Sequence, residues 1–326
     1  MAPLIQAVKK KYSKAELTLL VPMGWKEFGE SIIGVDLALE AQLKNGRWAE
    51  IFIDKYKNYW DLGLIPFVYP LIPFFYALGV KNLQSFPDPR GRRNYQVHLQ
   101  RKIPDSVDHM SLMMLNLLDG SDRNHGSPYI KVDLTRLPPV LNNKKYIIIH
   151  PGAKDKPRIW PLDNYVAVAS KLLAKGYHIA LTGTADEIHL TRYIQDKLAL
   201  SGLVMDLCGK TDLISLTAAV QKAQLVFGPD TGVLHLARTL GVPNVTIGAG
   251  PSQAKIYGPD KRLHDLNKNR YIEILPDLIC RDQHTVFKYK INGVNHCKRK
   301  KCLYPDIPCM TGIDGELTIR EIEKIL

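Results

Sequence analysis

No Asp-x-Asp triplet occurs anywhere in the 326 residues. That removes the usual carboxylate pair for clamping a divalent cation onto a diphosphate, so no metal is expected. Cysteines are few: Cys208, Cys280, Cys297, Cys302 and Cys309. No tight C-x-x-C pair is among them, so a zinc site at Cys280, Cys297, Cys302 and Cys309 is only one reading of an irregular spacing. Residues 1–14 hold no long apolar stretch, so no secretory leader is read there. A reducing, cytoplasmic location follows as the expectation, and disulfides are disfavoured. No internal repeat recurs at a fixed period. Gly248-Ala249-Gly250 lacks the third glycine of a dinucleotide fingerprint and runs into Pro251, which argues against that motif.

Long uncharged runs are also scarce. The exception is residues 62–80 (LGLIPFVYPLIPFFYALGV), 19 residues without a charge. Pro66, Pro70 and Pro73 would break a helix repeatedly. The run therefore reads as a buried or interfacial segment, not a membrane span.

Basic charge is plentiful. Lys and Arg number 44 against 32 Asp and Glu, a net charge of +12. Such a balance favours anionic partners: nucleotides, phosphorylated glycolipids or an acidic membrane surface. Nucleic acid is not expected, because no binding motif accompanies the charge. Arg90, Arg92, Arg93 and the run 298–301 (KRKK) could face anionic lipid or a phosphorylated acceptor. Solubility explains them as well.

Apolar residues make up 45% of the chain, enough for two domains of ordinary size. Residues 137–145 (LPPVLNNKK) look like the linker, giving domains at 1–140 and 141–326. In the second domain strands alternate with helices. Strands are read at 146–150, 177–182, 204–207, 225–228 and 244–247. Helices are read at 162–174, about 186–200, 213–223 and 232–240. This alternation requires crossovers and so a doubly wound parallel sheet. The first domain is less regular. A helix is read at 3–12, a strand at 16–21, a second strand within 48–54 (EIFI) and a Met-rich core helix at 108–118.

Three clusters could carry chemistry. In 227–241 (FGPDTGVLHLARTLG) a strand ends, Asp230-Thr231-Gly232 turns the chain, and a helix begins. Free N–H groups and the positive helix end would then point at one spot, an arrangement suited to a diphosphate. Gly232 would let a ligand approach the backbone, and His235 lies one turn into the helix. Asp230 as a plain helix cap and His235 as a core histidine account for the same residues. In 150–161 (HPGAKDKPRIWP), Lys154, Lys156 and Arg158 place three cations within five residues, able to neutralise phosphate. A solvated basic loop would look the same. In 182–187 (TGTADE) a carboxylate follows a Gly turn and could accept bonds from ribose hydroxyls, or merely suit a helix first turn. All three lie at carboxyl ends of strands, the edge where open α/β sheets bind ligands.

Taken in order, HPGAKDKPRIWP, LTGTADE, LCGKTDLISL, GPDTGVLHLARTLGVP and the closing Cys309-Met310 resemble glycosyltransferase family 9, the lipopolysaccharide heptosyltransferases. The likeness spans about 146–310, with a looser match over 2–7 and 15–22. It implies a GT-B fold: α/β, two Rossmann-like domains facing a cleft. It also implies an inverting, metal-independent transfer of heptose or a related sugar from a nucleotide donor, typically ADP-heptose, to a lipopolysaccharide or other glycolipid acceptor, with no cofactor. Location would be cytoplasmic or peripheral on the inner face of the inner membrane. By resemblance, amides of Thr231 and Gly232 would hold the diphosphate, and Asp230 would contact the transferred sugar or help shape that turn; His235, by its place one turn into the helix, is read as a donor-binding residue. Arg158 would bind phosphate, Glu187 the ribose, and Thr211 would line the base pocket beside Leu207 and Cys208.

One departure matters. Family members usually open with a strand and a Gly-Asp turn, whose Asp is the general base. Here the chain starts at Met1-Ala2-Pro3, so the opening strand and the catalytic Asp are expected to lie before Met1. A first domain without that strand would expose a sheet edge or leave a gap. The alternative expectation is a relative that binds nucleotide sugar without transferring it.

Overall fold

Short apolar runs separated by helices cannot pair as hairpins, so they pair in parallel through crossovers. A computed structural model shows this in the second half. It describes residues 2–42, 46–66, 71–87, 97–100, 110–118, 129–198, 202–248, 271–274, 285–286, 289–290 and 302–326. The chain divides into two compact units, residues 1–126 with 284–293 and residues 127–283 with 294–326.

In the first unit, helix α1 (Ala2–Lys11) leads into strand β1 (Thr18–Pro22), helix α2 (Lys26–Ser31) and strand β2 (Leu37–Ala41). Then come α3 (Gly46–Tyr56), β3 (Leu62–Ile65), α4 (Ile72–Ala77), β4 (Asn82–Ser85), β5 (Leu99–Gln100) and α5 (Met110–Leu115). β1 pairs in parallel with β2, and β3 with β4 and β4 with β5 likewise. These are two separate sheets, because β1 and β3 do not pair with each other.

One expectation changes here. The strand read in 48–54 is instead part of α3. Its aromatic residues stand four apart and stack along one helix face: Trp48 on Phe52 at 4.8 Å and Phe52 on Tyr56 at 4.6 Å between ring centroids. That i,i+4 ladder outweighs the β-favouring character of Ile51 and Ile53. The uncharged run at 62–80 splits into β3 and α4, and no helix among the described residues is long and apolar enough to cross a membrane. The Met-rich stretch is core as expected, with Met110 and Met113 buried. Arg90, Arg92, Arg93, Cys280, Cys297 and the 298–301 run lie outside the described residues.

The second unit is one parallel sheet. Its strands are β6 (Tyr146–Ile149), β7 (His178–Leu181), β8 (Val204–Asp206), β9 (Leu225–Pro229), β10 (Asn244–Ile247) and β11 (Tyr271–Ile274). The order is β11-β10-β9-β6-β7-β8. Helices α6 (Leu162–Ala174), α7 (Ile188–Leu198), α8 (Leu213–Lys222) and α9 (Gly232–Thr239) make the crossovers. The sheet grows one way from β6 to β8. It then crosses back and grows the other way from β9. β6 and β9 are therefore neighbours at the point where the winding reverses, and a crevice opens beyond their carboxyl ends.

Every side chain of β6 and β9 is buried, as expected of a strand covered on both faces. Trp160, Tyr165 and Phe227 form an edge-to-face group at 4.9 to 5.7 Å in the core. Two short helices, α10 (Pro308–Thr311) and α11 (Gly315–Glu323), complete it. Trp160 donates its indole N–H to the carbonyl of Ile313 at 2.9 Å.

Candidate active site

The crevice between β6 and β9 gathers the residues singled out by sequence. The ends of these strands approach so closely that a Cβ on Gly228 would collide with the carbonyl of His150. Only glycine permits that contact. Beyond Gly228 the chain passes Pro229, turns at Asp230 and enters α9.

Thr231 is the N-cap of α9, in extended conformation, and makes no side-chain cap bond. Its Oγ1 is sealed from solvent without a hydrogen-bond partner. The first-turn amides thus receive no capping side chain, and the helix end keeps its partial positive charge. A Cβ on Gly232 would meet nothing within 4 Å. Open space therefore lies beside the first residue of the helix.

Asp230 does not cap the helix. Its carboxylate is only 8% exposed and is held by charged neighbours. Arg158 Nη2 lies 3.0 Å from Oδ2 and also donates to the Asp230 carbonyl at 2.6 Å. Arg238 Nη2 lies 3.3 Å from Oδ1, and His235 Nε2 3.4 Å from the same oxygen. A buried carboxylate needs such partners. Arg158 Nη1 also lies 4.0 Å from Asp155 Oδ2, so two guanidinium groups meet two carboxylates, and Arg158 keeps a partly exposed edge. A helix start without a side-chain cap and a partly exposed guanidinium are features suited to an anion.

His235 is not a core residue, since its side chain is 41% exposed. Crowding lowers its basicity first, Arg238 lowers it further, Asp230 opposes and Arg158 adds to the fall, which reaches about 4. At this exposure water softens the desolvation, and the two guanidiniums fix the direction. His235 is neutral at neutral pH.

Arg158 is placed by its own segment. It closes a 3-10 turn, Lys156–Arg158, just after β6. Two residues later the buried Trp160 anchors that turn to the core. Glu187 stands on the other side of His150. Its Oε2 accepts from the Thr184 N–H at 2.7 Å and the Thr184 hydroxyl at 3.1 Å. Its other face lies against Gly152, where any Cβ would strike the carboxylate. His150 is buried, with Nδ1 3.1 Å from Thr182 Oγ1. Burial lowers its basicity against the pull of Glu187. Further along, the Cys208 thiol donates to the Thr184 carbonyl at 3.0 Å, and Gly209 N–H to the Gly183 carbonyl at 2.9 Å. Thr211 follows on that loop, directly before Asp212, the cap of α8.

Contacts join the Cys208–Gly209 loop to Thr184, Glu187 and Gly152, a second set joins Asp230 to Arg158, His235 and Arg238, and the His150 carbonyl lies against Gly228, two residues before Asp230. Arg238 was missed by sequence reasoning. Its signal was present: Thr231, His235 and Arg238 recur at four and three residues along α9, on one helix face. Among the described residues no group of three His, Cys, Asp or Glu side chains could hold a metal ion.

The profile of glycosyltransferase family 9 (heptosyltransferase) matches residues 104–273. Lipooligosaccharide heptosyltransferase 2 of Haemophilus ducreyi is 21% identical over 286 residues, 78% of each chain. Among solved structures, E. coli ADP-heptose lps heptosyltransferase II superposes with a TM-score of 0.75 at 15% identity, covering 99% of this chain and 93% of that one. E. coli heptosyltransferase WaaC with ADP gives a TM-score of 0.66 at 15% identity, covering 83% and 87%. The fold is the α/β fold of GT-B heptosyltransferase structures over nearly the whole chain.

Proposed function

This chain belongs to glycosyltransferase family 9, and on that premise we propose that it moves heptose or a related sugar from a nucleotide donor, ADP-heptose, to a lipopolysaccharide core acceptor. One observation carries the reading. The start of α9 has no side-chain cap and open space at Gly232, and it follows directly on Asp230, held by the partly exposed Arg158 and the buried Arg238 at the sheet's winding reversal. A nucleoside diphosphate suits a helix start and a guanidinium in sign. Its diphosphate would rest on the amides of Thr231 and Gly232, with Arg158 as the nearest partly exposed cation.

In a transfer reaction the leaving nucleoside diphosphate gains charge as the glycosidic bond breaks. Donors fixed before the reaction stabilise that charge without reorganising. Arg158 and the α9 amides are already so fixed. Asp230, clamped by both guanidiniums, orients its carboxylate toward the sugar side of the pocket in this reading. Glu187 faces the ribose and Thr211 the base. The acceptor hydroxyl needs a base. Contact with an anionic membrane through the basic surface fits a lipid-linked acceptor.

Calorimetry with ADP and a transfer assay with ADP-heptose and a heptose-acceptor core test the reading together. Binding with turnover is the expected result. Binding without turnover would reassign the chain as a nucleotide-sugar binder. No ADP binding at all would reject the pocket.

A further inference from the structure

Asp230 stands in the wrong place for an anion. It directly precedes Thr231, the N-cap of α9, so a diphosphate resting on the helix start would have a carboxylate as its neighbour along the chain. That carboxylate is buried, and water screens it poorly. Left alone, it would repel the diphosphate and would be costly to bury. Something must cancel its charge without occupying the ligand's place.

Two guanidinium groups meet Asp230, and they differ. The Arg158 side chain is 27% exposed and bonds both the carboxylate and the carbonyl of Asp230. The Arg238 side chain is only 6% exposed. Its Nη2 lies 3.3 Å from Asp230 Oδ1, and its Nε–H goes to the Leu234 carbonyl at 3.2 Å, within its own helix. Side chains on a helix lean toward its amino end, and arginine is long enough to reach Asp230 from the second turn. A sealed guanidinium spent in this way cannot swing out to a ligand. A partly exposed one can.

The charges divide the same way. Among the described residues, Arg158 and Arg238 balance Asp155 and Asp230 in this cluster. His235, 3.4 Å from Asp230, is neutral at neutral pH and adds nothing. Without Arg238 the cluster would turn net negative beside the helix start, and Asp230 would hold Arg158 alone.

We propose that Arg238 is a positioning residue for the nucleoside diphosphate: acting through Asp230, it is the buried counter-ion that lets a diphosphate settle on α9 beside a carboxylate and leaves the outer edge of Arg158 for the ligand. Arg238 itself touches no ligand. Its contribution is charge, delivered from inside the protein, so it grows with the charge of what binds. This inference rests on the donor reading above and deepens it.

The test compares three ligands of falling charge on the full chain: ADP and AMP by calorimetry, adenosine by ligand-observed NMR. ADP carries no sugar to be transferred, so any contact of Asp230 with that sugar drops out. Arg238→Met should weaken ADP binding by about tenfold or more, AMP by less, and adenosine by under about twofold. Arg238→Lys keeps the charge and should hold ADP within about threefold of the parent. Asp230→Asn removes the repulsion and should tighten ADP binding several-fold. Joining Asp230→Asn to Arg238→Met restores the parent's charge and should return ADP affinity to within about threefold of the parent. A merely structural role for Arg238 would weaken all three ligands alike. Equal losses across the ligands, a loss in Arg238→Lys as large as in Arg238→Met, or weaker ADP binding in Asp230→Asn overturns the proposal. Should Arg238→Met fail to fold by thermal unfolding, Asp230→Asn and the double variant decide. A parent that does not bind ADP rejects the donor reading instead. A parent that binds ADP while the variants break this order rejects the role of Arg238 alone.

Discussion

Replacing Gly232 by leucine should separate binding from folding. A Cβ there meets nothing within 4 Å, so the protein has room for the side chain. Gly232 opens α9, and leucine is the better helix former, so stability should stay within about 1 kcal/mol of the parent. The new side chain would occupy the space beside the first residue of α9 that a diphosphate needs. Two charge-assisted hydrogen bonds, to the amides of Thr231 and Gly232, are each worth about 1.5–3 kcal/mol. Losing both costs at least about 3 kcal/mol, roughly a hundredfold in Kd for ADP. Titration calorimetry gives the affinity, and thermal unfolding shows that the fold survives. A variant with an unchanged melting profile that binds ADP within about threefold of the parent would refute the placement of the diphosphate.

Four other expectations follow from the same geometry. Arg158→Met should weaken ADP binding about tenfold or more, seen by calorimetry, while Arg238 still holds Asp230. Gly152→Ala forces the Cβ into the Glu187 carboxylate and should destabilise by about 1–3 kcal/mol in urea unfolding. Trp160→Ala should cost about 3–5 kcal/mol by the same measure, from the cavity it leaves. His150 is held neutral by burial, so the unfolded chain binds more protons than the folded one below its ordinary value of about 6.5. Stability from this group is thus full above that value and falls as the pH drops through it. His150→Gln should flatten part of the decline in thermal midpoint between about pH 7 and pH 5, and an identical decline in both proteins would remove His150 as the cause.

The second unit was legible because its elements are simple. Residues 162–174 and 244–247 carry strong periodicity or unbroken burial and appear as α6 and β10 with those same bounds. The loops bearing Arg158, Glu187 and Asp230 could be placed on one edge because parallel winding leaves no other arrangement. The neighbourhood of Asp230 was not legible. Whether it capped α9 or turned toward Arg238 depends on contacts across eight residues of helix. In the first unit, β4 reads NLQS, too polar to look like a strand. Yet Gln84 and Ser85 are buried, and the Ser85 hydroxyl bonds the Ile65 carbonyl. Tertiary pairing made that strand, not its own pattern. α3 failed for the opposite reason: its side chains suit a strand, and aromatic stacking along the helix prevailed.

The bond from Trp160 to Ile313 has a consequence for biosynthesis. Ile313, Ile319 and Ile322 share one core with Trp160 and Tyr165, although some 150 positions separate the partners. On the ribosome every strand from β6 to β11 emerges before those isoleucines, β6 by the widest margin. The sheet must wait with an uncovered flank until they leave the exit tunnel, a period in which chaperone capture or self-association competes with completion. Translation speed over the closing stretch would then bear on the yield of folded protein.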